Sequence, residues 1–263
     1  MPPIRIVFNQ LRQQRRAALI PFVMGGDPSL ALLGPLLLAL QDAGADLLEV
    51  GIPFSDPLAD GPVIQAASAR ALRRGATTAR VFGAIASVRS KLRVPVVCLS
   101  YWNPLMQFGP GCIRAATDSG VDGLIVPDLP VEELESLRQL AARTTLETIL
   151  LAAPTSPPAR LRAIARASQG FIYYVSVIGT TGMRQALPPG LAQGLRQLRL
   201  LTTKPICVGF GISTPEQVAA VSRMADGVIV GSALVNTIAK ATGPRAAVRH
   251  AGIFVRRLRK GLA

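Results

Sequence analysis

Histidine is almost missing from these 263 residues, with His250 the only one. Its scarcity disfavours Ser-His-Asp and Cys-His nucleophilic sites and excludes a zinc centre built on several imidazoles. Cysteine is scarce too. Cys98, Cys112 and Cys207 have no metal-ligand spacing, and Cys98 and Cys207 sit in apolar, strand-like runs where free thiols are commonly buried. No apolar run reaches the roughly 18 residues a membrane helix needs. The longest candidate, 30–40, is interrupted by Gly34 and Pro35. Arg5, Arg12, Arg15 and Arg16 near the start are not followed by an apolar segment with a cleavage site, so no secretory signal is read and a cytoplasmic location is expected. Acid–base chemistry must then fall on carboxylates, Tyr, Lys or Cys.

Acidic residues are outnumbered, 15 against 29 Lys and Arg, giving a formal net charge of +14. Such a balance invites a nucleic-acid partner. Yet aromatics make up only 5% of the chain. None interleaves with the dense basic patch at Arg256, Arg257, Arg259 and Lys260. Most other arginines fall on polar faces of predicted helices, as in an ordinary solvated surface. A positive field would also draw in a phosphorylated small molecule.

Apolar β-type runs are predicted at 18–23, 46–50, 94–99, 123–126, 146–151, 171–175, 205–208 and 227–230. Helical periods separate them at 30–43, 62–74 with 78–90, 111–119, 131–142, 158–167, 189–198 and 215–224, with a last helix at 245–258 and an extra one at 4–14. Gly44, Gly120 and Asp226-Gly227 mark helix-to-strand turns, and Pro62, Pro158, Pro215 and Pro244 mark first helical turns. Eight strand–helix units with no low-complexity linker predict one domain, residues 1–263: a (β/α)8 TIM barrel with an extra N-terminal helix. A doubly wound open sheet is the rival, although no G-x-G-x-x-G follows the first strand.

In a barrel, the chemistry sits on the loops after the strands. The loop after strand two is the most distinctive: Glu49-Val-Gly-Ile-Pro-Phe-Ser-Asp-Pro-Leu-Ala-Asp60-Gly-Pro62. A carboxylate at the end of a buried strand is costly to place, and burial raises its pKa toward the range of a proton carrier. Asp60 lies on a stiff loop that can bring it back to the same mouth, or it simply caps the next helix. Asp27 and Asp128 follow their strands in loop-bracing or capping positions, and Trp102 is expected to pack under a loop. Tyr173 and Tyr174 alternate on a strand, so only one faces inward. Gly209, Gly211 and Gly231, with Ser213, Ser232 and a short helix at 232–239, suit an anion held by backbone N–H groups, or else ordinary tight turns. The run 177–184, with Gly179, Thr180, Thr181 and Gly182, has the composition of a mobile lid or of a plain surface loop.

The run 49–62, together with Val126-Pro-Asp-Leu-Pro130, Gly179-Thr-Thr-Gly182 and Gly209-Phe-Gly-Ile-Ser-Thr-Pro-Glu216, resembles the tryptophan synthase alpha chain family, in order along nearly the whole chain. The resemblance implies a lyase that cleaves indole-3-glycerol phosphate to indole and glyceraldehyde 3-phosphate. It implies Glu49 as the acid–base carboxylate, Asp60 as the carboxylate on the indole N–H and Tyr173 as a third catalytic-site residue. Thr181 would be the lid threonine that meets Asp60. Gly182, Phe210, Gly211, Gly231 and Ser232 would hold the phosphate, and Phe22, Leu99, Tyr101 and Ile125 would flank the indole ring. No metal and no cofactor in this chain are implied. A beta chain carrying pyridoxal phosphate would pair with it as α2β2, touching Asp56 and Pro57. A stand-alone lyase releasing free indole, and a basic barrel binding nucleic acid, remain as alternatives.

Overall fold

A computed structural model describes residues 4–175, 189–209 and 211–262. Eight parallel strands close into a barrel in chain order: β1 Ala18–Met24, β2 Leu48–Gly51, β3 Val96–Leu99, β4 Gly123–Ile125, β5 Glu147–Ala152, β6 Ile172–Val175, β7 Ile206–Gly209 and β8 Gly227–Val230. The helices are α1 Ile4–Gln13, α2 Leu30–Asp42, α3 Pro62–Arg73, α4 Thr78–Ala86, α5 Trp102–Phe108, α6 Cys112–Asp118, α7 Leu134–Ala141, α8 Pro158–Ala167, α9 Leu191–Arg199, α10 Pro215–Ser222, α11 Ser232–Ala239 and α12 Pro244–Arg259. The barrel, not the open sheet, is the arrangement formed. Prolines stand in the first turns of α3, α8, α10 and α12, where a missing N–H breaks no helix bond. Gly44 and Gly120 adopt positive φ at +98° and +86°, as the turns into β2 and β4 require.

Parallel strands buried on both faces must be apolar on both. Their outward set, including Leu19, Val50, Cys98, Leu124, Ile172, Tyr174, Val208 and Val228, joins the main core beneath the helices. Their inward set, Ile20, Val97, Ile125, Ile149, Cys207 and Ile229, fills the barrel. The floor is closed by α1, whose Ile4, Phe8 and Leu11 recur at helical spacing and join that inner cluster. Phe8 meets Phe171 with ring centroids 5.8 Å apart.

Three aspartates repeat one device at the same end of the barrel. Asp46, Asp122 and Asp226 precede β2, β4 and β8, and each accepts a backbone N–H from the preceding strand: Leu19 at 2.8 Å, Val96 at 2.8 Å and Ile206 at 2.8 Å. Each also pairs with arginine: Asp46 with Arg16 and Arg259, Asp122 with Arg89, Asp226 with Arg199. Part of the arginine excess thus serves structure. Because this is the end opposite the strand C-termini, it serves stability and not chemistry. Asp46→Ala is expected to lower unfolding stability by roughly 2–4 kcal/mol, since it strands two guanidinium groups and an N–H. Urea denaturation checks this, and specific activity per folded molecule should be unchanged.

Helix α5 is not among the helical periods predicted from the sequence. Pro104 falls in its first turn, where it is tolerated, and the Asp128 carboxylate accepts the Trp102 N–H at 2.8 Å. Trp102 packs against the main core.

Candidate active site

The side chains at the C-terminal ends of the strands surround a hollow of about 740 Å3 that opens to solvent. Period two decides which residues reach it. Phe22 and Glu49 are register partners on β1 and β2, and both face in. Leu99, Leu151, Tyr173 and Ile229 follow one pleat above Val97, Ile149, Phe171 and the floor of β8. Tyr173 therefore faces the hollow, while Tyr174 packs outward in the core.

The loop after β2 is tied at two points. Ser68 on α3 holds Phe54: its Oγ accepts the Phe54 N–H at 2.8 Å and donates to the Phe54 carbonyl at 2.7 Å. Further on, the Ala59 N–H donates to the Tyr101 hydroxyl at 2.8 Å. Asp60 follows directly and lines the hollow with Glu49. Gly61, not Asp60, is the N-cap of α3, and no side chain bonds there. The capping alternative for Asp60 thus does not describe its position.

The two carboxyl groups differ in environment. Glu49 is 1% exposed, and its Oε2 has no hydrogen-bond partner among the described residues. Burial, reinforced by the neighbouring Asp60 charge, pushes its pKa up to about 8. Burial also pushes Asp60 up, to about 6, against a hydrogen bond from Tyr101 that pulls it down. Of the two, Glu49 is driven further from its ordinary value. Burial holds the Tyr173 hydroxyl neutral, its pKa raised well above the ordinary value.

Across the hollow lie Gly209, Gly211, Gly231 and Ser232. Gly211 has φ +45°, in the left-handed region that favours glycine. A Cβ at Gly231 would meet only Phe22, at 3.8 Å, so packing alone does not demand glycine there. Its bare backbone leaves the first N–H groups of α11 open to an anion. None of the described lining residues is Lys or Arg. Gly209 is different: a Cβ would lie 2.5 Å from the Tyr173 hydroxyl. Gly209→Ala is expected to displace that ring and lower kcat/KM about tenfold through misplacement, with thermal unfolding little changed. Steady-state kinetics beside a melting curve tests it.

Of the residues singled out in the sequence, Phe22, Glu49, Asp60, Leu99, Tyr173, Gly211, Gly231 and Ser232 line this hollow. Thr181, Gly182 and Phe210, with the lid run 177–184, lie outside the described residues. Tyr101 is 3% exposed with its hydroxyl on the Ala59 N–H, and Ile125 is fully buried in the barrel interior; neither is among the described lining residues. Asp27 is held by the fork of Arg70 at 2.9 and 2.7 Å, a loop brace as its sequence position suggested. Sequence reasoning missed Ile64, Leu151, Val175 and Ile229 on the apolar wall. A signal existed for the strand positions, since each lies two residues from an inward one.

The tryptophan synthase alpha chain family model matches residues 8–262. The chain belongs to this family. It is 49% identical to the tryptophan synthase alpha chain of Prochlorococcus marinus over 255 residues, covering 96% of this chain and 92% of that one. With the alpha chain of Rippkaea orientalis it shares 46% identity over 264 residues, covering 100% and 98%. Among solved structures, tryptophan synthase subunit alpha from Legionella pneumophila superposes with a TM-score of 0.91 at 35% identity, covering 100% of this chain and 98% of that one. An aminoacrylate-bound tryptophan synthase from M. tuberculosis superposes at 0.89 with 31% identity, covering 99% of both chains. As a member of this family the molecule is a carbon–carbon lyase of tryptophan biosynthesis. It cleaves indole-3-glycerol phosphate to indole and glyceraldehyde 3-phosphate. Among the described residues there is no His/Cys/Asp/Glu cluster able to hold a metal, and no helix long and apolar enough to cross a membrane.

Proposed function

We propose that Glu49 and Asp60 divide the proton chemistry of this retro-aldol cleavage. The carrying observation is that both carboxyl groups line one hollow, each driven upward by burial, Glu49 to about 8 and Asp60 only to about 6. The bond to be broken joins indole C3 to the glycerol carbon. Protonating C3 interrupts the ring's conjugation and makes the indole a leaving group, and Glu49 supplies that proton. Positive charge then grows toward the indole nitrogen, where the Asp60 carboxylate stabilises it. Glu49, now ionised, takes the proton of the glycerol hydroxyl as the aldehyde forms, and so returns to its starting state. Phe22, Leu99 and Tyr173 flank the ring, and Gly211, Gly231, Ser232 and the start of α11 hold the phosphate. Binding energy at that distant end fixes the reacting carbons near Glu49. Thr181, Gly182 and Phe210 are proposed to complete the enclosure. Residues 1–263 act as one domain in the cytoplasm.

We further assign the working assembly as α2β2, with Asp56 and Pro57 against a beta chain that carries the pyridoxal phosphate. The exposed tip of this loop, where Leu58 is 93% exposed, supports that reading. Indole formation from indole-3-glycerol phosphate, with and without a beta chain, tests both parts. No indole in either case overturns the lyase assignment. An equal rate with no complex on gel filtration overturns the assembly and favours a stand-alone lyase.

A further inference from the structure

We propose that Gly51 is a positioning residue that sets the room for the substrate's ring: its missing side chain is the recess in which the ring of Phe22 lies back against the wall of the hollow. The inference rests on Phe22 flanking the indole, as assigned above. Gly51 ends β2 two residues after Glu49, so it faces inward by the same alternation. It is not among the glycines with positive φ, so backbone conformation does not call for glycine there. Space does. A Cβ at Gly51 would lie 2.6 Å from Phe22 Cζ, 2.9 Å from Phe22 Cε2 and 3.1 Å from Met24 Cε. The tip of the Phe22 ring thus fills the volume that a side chain at position 51 would need.

The Gly51 backbone is fixed on both flanks. Its carbonyl accepts the Gly25 N–H at 2.8 Å, and the following N–H, of Ile52, donates to the Leu99 carbonyl at 2.8 Å. Phe22 stands on β1 as the register partner of Glu49, and it belongs to one buried cluster with Met24, Ile64, Ala67 and Val235. The flexible end of Met24 can give way, but a phenyl ring moves only by rotation about its Cα–Cβ and Cβ–Cγ bonds. Its open side is the hollow, which it lines with Glu49. A methyl group at position 51 therefore drives the ring toward the space the indole takes, and the reacting carbon shifts relative to Glu49. Gly231 imposes no such limit on Phe22, since a Cβ there would come no nearer to it than 3.8 Å.

The test is a double-mutant cycle on the full chain, read with indole-3-glycerol phosphate and with versions of it bearing one methyl group on the benzo ring. Gly51→Ala should lower kcat/KM about tenfold, chiefly through a higher KM. In the Phe22→Leu background, where the ring tip is gone, the same substitution should cost no more than about twofold. Selectivity is the readout that a merely structural role would not move. Gly51→Ala should widen the ratio of kcat/KM for the plain substrate over a methylated one by about tenfold at one or more ring positions, and Phe22→Leu should narrow it at the same positions. Should Gly51→Ala not fold, Gly51→Ala/Phe22→Leu should, and a double variant that also fails to fold overturns the inference. Parent-like kinetics in Gly51→Ala, equal losses with and without Phe22→Leu, or unchanged selectivity overturns it as well. A Phe22→Leu enzyme with parent-like rates on every substrate instead overturns the place of Phe22 beside the indole.

Discussion

Glu49→Gln is expected to reduce kcat for indole release by at least about a thousandfold while the barrel stays folded. Glutamine matches the shape but cannot give or take a proton, and general acid–base catalysis by one group is worth roughly 10²–10⁴. Here the same carboxyl group is used in both directions. The substitution carries a second signature with the opposite sign. Glu49 ionises near its ordinary value, 4.5, in the unfolded chain and at about 8 in the folded one. Between those limits the native state holds a proton that the unfolded state has lost, so stability falls as pH rises through that window. An uncharged amide at this position removes the slope. Relative to the parent, Glu49→Gln should be near neutral at pH 4 and more stable by roughly 3–5 kcal/mol at pH 8. Denaturant titrations at both pH values, beside the rate assay, separate catalytic loss from folding loss. Parent-like turnover in Glu49→Gln would falsify the acid–base assignment.

The pH dependence of kcat/KM should be a bell. Its acid limb lies near 6, where Asp60 must lose its proton, and its alkaline limb near 8, where Glu49 must keep one. Because each charge acts on the other, the two midpoints belong to the pair. Asp60→Asn should cost about 10²–10³ in kcat, the usual scale for removing a charge aimed at a developing ion. It should also pull the alkaline limb down, because the Asp60 charge is one of the two causes that hold Glu49 up. The substrate's own phosphate also titrates near 6. An acid limb that persists unchanged in Asp60→Asn belongs to that phosphate and removes Asp60 from the profile. An alkaline limb unmoved by the substitution would show that the two carboxyl groups do not sense each other.

The positions of the strands were legible because burial on both faces of a parallel sheet demands short apolar runs, and turn residues bracket them. The edges moved where side chains intervened. The second strand starts at Leu48 and not at 46, because the Asp46 side chain is committed to Leu19 and two arginines. Among site residues, Glu49 stood out because a carboxylate inside an apolar strand has no packing rationale. The glycines at 209, 211 and 231 were visible as a group, but not their different reasons: Gly209 makes room for Tyr173, Gly211 takes a positive φ, and Gly231 leaves backbone bare. Tyr101 was visible as an aromatic near the mouth, yet its tie to the Ala59 N–H is a hydrogen bond across 42 positions of chain.

Order along the chain therefore determined the eight-fold alternation, the scarcity of nucleophile–imidazole chemistry and the reliance on carboxylates, since these follow from local periodicity and residue type. Which of two adjacent tyrosines looks inward, how far each acid is driven from its ordinary pKa, and which hydroxyl holds the Ala59 N–H were decided only by closure of the barrel. Desolvation and directed hydrogen bonds depend on what surrounds a group in space, and those neighbours come from strands far apart in the chain.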